Sequence, residues 1–381
     1  MRRSQLGDFM LAASIDFNEN SGTSQLPSLL PGRASSFFVP LLLILAGLLT
    51  CFASSPRLVA QEPRALTLTG DTWGTHDPSI IKAGNTWYVF ATGKARDGGQ
   101  FQIRCSPDLH AWHLCGHVFD RIPAWIQKDS PGTSELWAPD ISFENGEYRL
   151  YYAYSLFGKN QSGIALATNK TLDSSSPSYR WIDRGLVLRS TEADDYNAID
   201  PNFVLDARHH AWLAFGSFWS GIKLRRLNDR TGLAGDAKIY SLASRSRPDN
   251  PPPAKPGLPP DWEAIEAPFI VRHGGYYYLF VSWDLCCRGT QSTYRTMVGR
   301  SRKITGPYAD DKGVPMMQGG GTLLLSANDR WLGPGGASVL MQPSGEDIIV
   351  FHAYDAHTGH PALQISTIAW HDGWPHAALE K

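Results

Sequence analysis

The chain has no charge excess to offer a partner. Lys and Arg number 35 against 36 Asp and Glu, a net charge of −1 over 381 residues, so the basic surplus that marks a nucleic-acid binder is missing. Cysteine is scarce, with 5 residues. That is too few for a disulfide-stapled mini-domain, and no C-x-x-C spacing points to zinc. There is no G-x-S-x-G elbow and no cysteine in a motif that would lower its pKa, so serine-type and cysteine-type nucleophile triads are poorly supported. Long apolar runs are absent with one exception, and outside that run no segment sustains a helical period. A composition of 42% hydrophobic and 19% charged residues nevertheless buries a large core and excludes a disordered chain.

The exception spans residues 37–54, Phe-Phe-Val-Pro-Leu-Leu-Leu-Ile-Leu-Ala-Gly-Leu-Leu-Thr-Cys-Phe-Ala-Ser. A signal-peptide core is favoured over a membrane span. Leu41 to Leu49 is short for a span, Pro40 interrupts the run, and Leu58-Val59-Ala60 before Gln61 offers a small-residue cleavage site. Leu48-Leu49-Thr50-Cys51 resembles a lipoprotein box with an atypical Thr before the Cys. Residues 1–60 are therefore expected to be an N-terminal extension with a signal peptide or membrane anchor. The protein is expected to be secreted or periplasmic, with membrane contact only through residues 37–54 if they are retained or lipidated. Export permits disulfides among Cys105, Cys115, Cys286 and Cys287, although the adjacent Cys286-Cys287 pair is expected as two small buried apolar side chains.

What the chain has in quantity is Gly (36), Pro (26), Trp (13), Tyr (14) and Phe (16). Turn formers together with aromatics point to an all-β protein of short strands. Five strand-like runs recur: Trp-Tyr-Val-Phe-Ala from Trp87, Tyr-Arg-Leu-Tyr-Tyr from Tyr148, Trp-Leu-Ala-Phe from Trp212, Tyr-Tyr-Tyr-Leu-Phe-Val from Tyr276 and Ile-Ile-Val-Phe from Ile348. Their starts are 61, 64, 64 and 72 residues apart. About ten residues upstream of each lies a related segment, at 76, 138, 200, 266 and 335, usually followed by a Gly or Asn turn such as Glu144-Asn145-Gly146. Strand–turn–strand repeated five times predicts a five-bladed β-propeller over residues 61–381, with a β-sandwich of irregular strands as the alternative. The first strand of each propeller blade lines the axis. Asp77, Asp140, Asp200 and Glu266 would then converge on one funnel. Pro248 to Pro260, with seven prolines, is expected as a stiff surface loop at the rim of that funnel.

Cleaving a glycosidic bond needs one carboxylic acid to protonate the leaving oxygen and one carboxylate to activate water or attack carbon. Asp77, Asp200 and Glu266 supply that set at what look like equivalent points of three repeats, each in an apolar context that raises a carboxyl pKa unless a cation or hydrogen bond opposes it. Asp140, which follows its proline instead of preceding it, is offset by two positions and read as structural.

Several longer stretches resemble the endo-1,5-α-L-arabinanases of glycoside hydrolase family 43: Gly-Asp-Thr-Trp-Gly-Thr-His-Asp-Pro-Ser-Ile (70–80), Leu-Trp-Ala-Pro-Asp-Ile (136–141), Asn-Ala-Ile-Asp-Pro-Asn (197–202), Phe-Gly-Ser-Phe-Trp-Ser-Gly (215–221), Ile-Glu-Ala-Pro-Phe-Ile (265–270) and Cys-Cys-Arg-Gly-Thr-Gln-Ser-Thr-Tyr (286–294). The resemblance runs from Leu66 to Trp374. It implies an inverting hydrolase of arabinan with Asp77 as general base, Glu266 as general acid and Asp200 tuning and orienting Glu266. It further implies Trp137 and Trp219 as stacking platforms for arabinofuranose, Asn197 and Ser217 as partners of sugar hydroxyls, and His76 as a contact of sugar or carboxylate. His352, placed in the inner-strand region of the last blade, is implied as the one protein ligand of a calcium or similar ion near the axis. No organic cofactor is implied, and a monomer is expected. Where many similar enzymes carry Gly-Pro-Gly-His, this chain has Gly333-Pro334-Gly335-Gly336, so a His that could face the centre is absent. Two competing readings remain: an exo-acting α-L-arabinofuranosidase or β-xylosidase on the same propeller, favoured if the proline-rich loop closes one end of the cleft, and a non-catalytic carbohydrate-binding propeller.

Overall fold

The aromatic and β-branched runs become the second strand of five successive antiparallel sheets. The computed structural model describes residues 61–381 apart from 96 and 344, so the expected leader and Cys51 lie outside the described residues. Blade 1 is built from Ser79–Ala83, Thr86–Lys94, Gln100–Ser106 and Ala111–Phe119. Blade 2 follows with Trp137–Glu144, Glu147–Tyr154, Ser162–Asn169 and Ile182–Ser190, and blade 3 with Asn202–Leu205, Ala211–Phe215, Ile222–Leu227 and Ala234–Ala243. Blade 4 comprises Ile265–His273, Tyr276–Trp283, Arg295–Ser301 and Thr322–Leu325. Blade 5 has three strands in its own sheet, Trp331–Leu340, Ile348–Asp355 and Pro361–Thr367. Second strands such as Glu147–Tyr154 are buried along almost their whole length, because each is sandwiched between the strands of its own sheet and the faces of neighbouring blades. That is why they read as unbroken apolar runs. The architecture is the expected five-bladed β-propeller. Among the described residues α-helix is confined to Ala124–Asp129, and no helix is long and apolar enough to cross a membrane.

Fourth-strand pairing for blade 5 comes from the opposite end of the domain. Leu66 donates its N–H to Ile365 O (2.8 Å), Thr367 N–H to Arg64 O (3.0 Å) and Leu363 N–H to Thr72 O (2.9 Å). The segment from residue 64 to 73 thus adds to the strand Pro361–Thr367 and closes the ring by hydrogen bonds. Leu66 packs with Ile80, Trp87, Val350 and Ile365 in one buried cluster, which locks the first blade to the last.

The inner strands share a device that aims side chains at the axis. Asp77, Ala138, Asp200, Ala267 and Gly336 occupy one position in each of the five blades, and all have left-handed backbone, with φ between 45° and 58°. In three ladders the register shows an extra residue at this point, between Trp137 and Asp140, Glu266 and Phe269, and Gly335 and Ser338. Such a bulge re-aims the side chains around it, and a non-glycine residue there costs on the order of 1 kcal/mol. Neighbouring blades are stitched just below. Ile141 N–H donates to Ser79 Oγ (3.0 Å), Phe203 N–H to Asp140 Oδ2 (2.6 Å), Ile270 N–H to Asn202 Oδ1 (2.8 Å), Gly336 N–H to Ser282 Oγ (2.9 Å) and Asp77 N–H to His352 Nδ1 (3.2 Å). Asp140 is thereby placed as the structural group its offset suggested, with burial pushing its carboxyl up to about 7 against the hydrogen bond from Phe203.

Candidate active site

Counting from the bulge corrects one expectation. Asp77 and Asp200 occupy the left-handed position itself, whereas Glu266 stands one residue before it, opposite Ser282. The three acids are not at equivalent points, and blade 4 carries Ala267 where blades 1 and 3 carry Asp. The extra residue of the bulge lets side chains from both registers reach the same place. Asp77 and Asp200 border a small cavity of about 40 Å³ on the axis, and all three acids line the floor of an open cleft of about 600 Å³ above it.

Asp77 is held from two sides. Ala138 N–H donates to Thr92 Oγ1 (2.7 Å), so the Thr92 proton is free to point at Asp77 Oδ2, 2.7 Å away. His76 Nδ1 lies 2.9 Å from the same oxygen. Both hydrogen bonds fall on Oδ2, and among the described residues Oδ1 receives none. Burial pushes the Asp77 carboxyl up, but the adjacent His76 charge and hydrogen bond, with help from His352 and Thr92, outweigh it and hold the pKa at about 2. His76 moves the other way. Burial opposes its charge, yet Asp77 and Glu266 raise it above the usual histidine value.

Glu266 is nearly buried, 9% exposed. Burial drives its carboxyl up to about 7 against the hydrogen bond from Ser217, and the Asp77 charge adds to the rise. Ser217 Oγ donates to Oε2 (2.5 Å) and the Tyr294 hydroxyl donates to Oε1. Ser217, expected as a partner of sugar hydroxyls, lines the cleft with its hydroxyl buried and donating to Glu266. Asp200 accepts Ala267 N–H at Oδ2 (3.0 Å), which ties it to the residue after Glu266. Burial and the charges of Glu266 and Asp77 push its carboxyl well above the usual range.

Trp137, Trp219 and Asn197 line the same cleft. Asn197 Oδ1 is buried without a hydrogen-bond partner, a polar atom available to a ligand. Phe218 and Trp219 both adopt left-handed backbone, in a turn pinned by Phe218 N–H on Ile265 O (2.9 Å), beside the strand that carries Glu266.

His352 lies on the second strand of blade 5, not the innermost one, and its ring reaches the centre past glycine. A Cβ on Gly336 would stand 2.6 Å from Asp77 Oδ1 and 2.9 Å from His352 Nδ1. The Gly-Gly departure thus leaves room for His352 and Asp77 to meet. The His352 ring stacks on His76 at 3.8 Å, is fully buried, and is kept neutral by burial and the His76 charge. Its Nε2 has no hydrogen-bond partner.

Sequence reasoning missed Thr92, Tyr294 and Tyr354. Thr92 and Tyr354 sit on second strands and Tyr294 just before a third strand, outside the inner-strand motifs, and only their hydroxyls reach the site, those of Thr92 and Tyr294 at the carboxylates and that of Tyr354 at His76. The expectation for Cys286 and Cys287 is also corrected. They form a disulfide with each other at the cleft wall, Cys287 exposed, and Cys105 pairs with Cys115 across the outer strands of blade 1. The proline-rich segment does reach the rim: Leu258 and Pro259 line the cleft. A Cβ on Gly158 would lie 2.3 Å from Leu258 Cδ2, so this loop abuts the turn that follows the second strand of blade 2.

One carboxyl held ionised and a second held protonated near neutrality, at the end of a propeller axis, is the pairing that acid–base cleavage of a glycosidic bond requires. Comparison with known proteins agrees. The model of the Glycosyl hydrolases family 43 matches residues 72–375, and the chain belongs to that family. It is 42% identical over 310 residues to the extracellular endo-α-(1→5)-L-arabinanase 1 of Bacillus subtilis, an alignment covering 80% of this chain and 89% of that one. It is 43% identical to the extracellular exo-α-(1→5)-L-arabinofuranosidase ArbA of Cellvibrio japonicus, covering 79% and 85%. The solved GH43 endo-arabinanase from Bacillus licheniformis superposes with a TM-score of 0.72 at 45% identity, covering 82% of this chain and 99% of that one.

Proposed function

We propose that the protein is an exported arabinan hydrolase that cleaves internal α-1,5-L-arabinofuranosidic bonds with inversion of configuration. The observation that carries this reading is the opposed ionisation of Asp77, held at about 2, and Glu266, pushed up to about 7, on the floor of one cleft. Asp77 acts as the general base. With Oδ2 committed to His76 and Thr92, Oδ1 takes a proton from the attacking water. Glu266 acts as the general acid and delivers its proton to the departing glycosidic oxygen. Asp200 fixes the backbone beside Glu266 by accepting the Ala267 N–H. The rings of Trp137 and Trp219 supply apolar faces for furanose, and Asn197 supplies an unpaired acceptor. Export is supported by the leader-like N-terminus and by two relatives named as extracellular.

His352 fits the role of ligand to a hard cation, since it is neutral, buried and has an orphaned Nε2. As the structure stands Nδ1 accepts Asp77 N–H (3.2 Å), so the neutral ring carries its hydrogen on Nε2, and ligation through Nε2 would require the other tautomer and the loss of that hydrogen bond. Such an ion, held by His352, would supply positive charge to the site.

The test is the product pattern from debranched linear arabinan, with anomers followed by NMR. A spread of oligosaccharides released as the β-anomer is expected. Retained configuration would exclude the water-activating role of Asp77. A second reading, exo release from a chain end, is favoured by the contact between Leu258 and Gly158 at one side of the cleft, and arabinose or one short oligosaccharide as the only early product would establish it. Binding without hydrolysis would restore the carbohydrate-binding alternative.

A further inference from the structure

We propose that Tyr354, anchored by the Cys286–Cys287 turn, is a positioning residue for Asp77 that acts through His76. The inference rests on the reading of Asp77 as general base. It starts from a chain of hydrogen bonds crossing the seam between blades 4, 5 and 1. Cys287 N–H donates to the Tyr354 hydroxyl (2.9 Å), that hydroxyl lies 2.7 Å from His76 Nε2, and His76 Nδ1 lies 2.9 Å from Asp77 Oδ2.

Proton bookkeeping gives this chain a direction. A backbone N–H can only donate, so the Tyr354 oxygen accepts at that end. Its own proton is then available to His76 Nε2, and a neutral His76 must carry its hydrogen on Nδ1, aimed at Asp77. If His76 is protonated, the Tyr354 oxygen accepts from Nε2 through its second lone pair and Nδ1 still donates to Asp77. In either state Oδ2 is the occupied oxygen and Oδ1 is left for water. Thr92, oriented by Ala138 N–H, enforces the same choice from the other side.

The disulfide is what fixes the first donor. Joining adjacent cysteines closes a small ring around the peptide bond between them, and Cys287 sits in left-handed backbone at φ 64°. Cys287 Sγ also lies 3.6 Å from His76 Nε2, so the same turn contacts the imidazole edge while His352 stacks on the ring at 3.8 Å. Beyond the turn, Arg288 N–H donates to Ser292 Oγ (3.1 Å) and Thr293 N–H to Leu285 O (2.8 Å), which holds the loop as a unit. Opening the disulfide frees the Cys287 dihedrals and with them the direction of the N–H that Tyr354 accepts.

Two perturbations at opposite ends of the chain test this in the intact enzyme. Tyr354→Phe should lower kcat on the order of tenfold with KM unchanged, since a small misplacement of a reacting group is enough to do so. The loss should be equal on linear arabinan and on an aryl arabinofuranoside, because the base serves both and leaving-group protonation is not involved. A water-soluble phosphine should have the same effect on the wild type: the disulfide gains two electrons and two protons, becoming two thiols, while the phosphine takes an oxygen from water and leaves as its oxide. A Cys105→Ala/Cys115→Ala variant, in which only the 286–287 disulfide remains, should respond alike. The decisive comparison is phosphine on Tyr354→Phe, which should lose no further activity. Losses that multiply, a wild-type kcat in Tyr354→Phe, or an enzyme indifferent to phosphine would each overturn the proposal. Asp77→Asn separates the two levels. An active Asp77→Asn enzyme removes the base assignment itself, whereas a dead one beside an unaffected Tyr354→Phe removes only the positioning role.

Discussion

Glu266 has to keep a proton at a pH where an ordinary glutamate has lost it. Burial raises its carboxyl from 4.5 to about 7, and the Asp77 charge holds it there. Its acid form is complete below that value and disappears as pH rises through it, while Asp77 stays ionised down to about 2. Hydrolysis of arabinan should therefore be flat through mildly acidic pH and fall with an alkaline limb near 7, and a limb at 9 or above would remove Glu266 from the acid role. Glu266→Gln should cost about 10²–10⁴-fold on arabinan and far less on an aryl arabinofuranoside whose leaving group needs no proton. Linkage adds an effect on stability. The native state holds this proton more tightly than the unfolded chain, so the stabilisation is complete below about 4.5 and is lost as pH rises toward 7. A glutamine has no proton to lose, so Glu266→Gln should have a higher Tm than the wild type at pH 8 and a smaller advantage at pH 5, measured by calorimetry. A variant less stable than the wild type at both values would show that the buried carboxylate is not destabilising.

At the scale of strands and loops, the parts legible in the sequence are those where one face decides the residue type. Second strands are buried along their length and so announce themselves as aromatic and β-branched runs, which made the five blades countable. The inner strands were legible as motifs but not in register, since nothing in Ile265-Glu266-Ala267-Pro268 distinguishes the residue before a bulge from the residue in it. Thr92 and Tyr354 were silent because a hydroxyl on a mostly apolar strand has no pattern, and Tyr294, although it ends the 286–294 stretch, shows its role only once the fold brings its hydroxyl to Glu266. Pro248 to Pro260 was legible as a stiff loop, but its contact was not: only the fold brings Leu258 against Gly158. Both residues of that contact line the cleft. Leu258→Gly should lengthen the smallest products released from linear arabinan, resolved by anion-exchange chromatography, without changing kcat on an aryl arabinofuranoside. The same product ladder from both proteins would mean that the loop lies clear of the substrate.

For the whole molecule, the ring has a seam, and the general base sits on it. Asp77 and His76 belong to blade 1, while His352 and Tyr354, which hold them, belong to blade 5. What joins these two blades is the segment of residues 64 to 73, which pairs with Pro361–Thr367 and runs on into blade 1, and the packing of Leu66 between them. Inner strands elsewhere in the ring are joined through consecutive chain, so a loosened seam opens between blades 1 and 5 before the other contacts fail. Leu66→Ala leaves a cavity at that point and should cost about 2–5 kcal/mol. The cost should be felt locally first, because the hydrogen bonds of this segment can open without unfolding any complete blade. In a urea titration of Leu66→Ala, hydrolysis should therefore disappear at lower urea than tryptophan fluorescence changes, with the two curves closer together in the wild type. Coincident curves in the variant would mean that the propeller opens all at once, and that the base gains nothing in particular from the closure beside it.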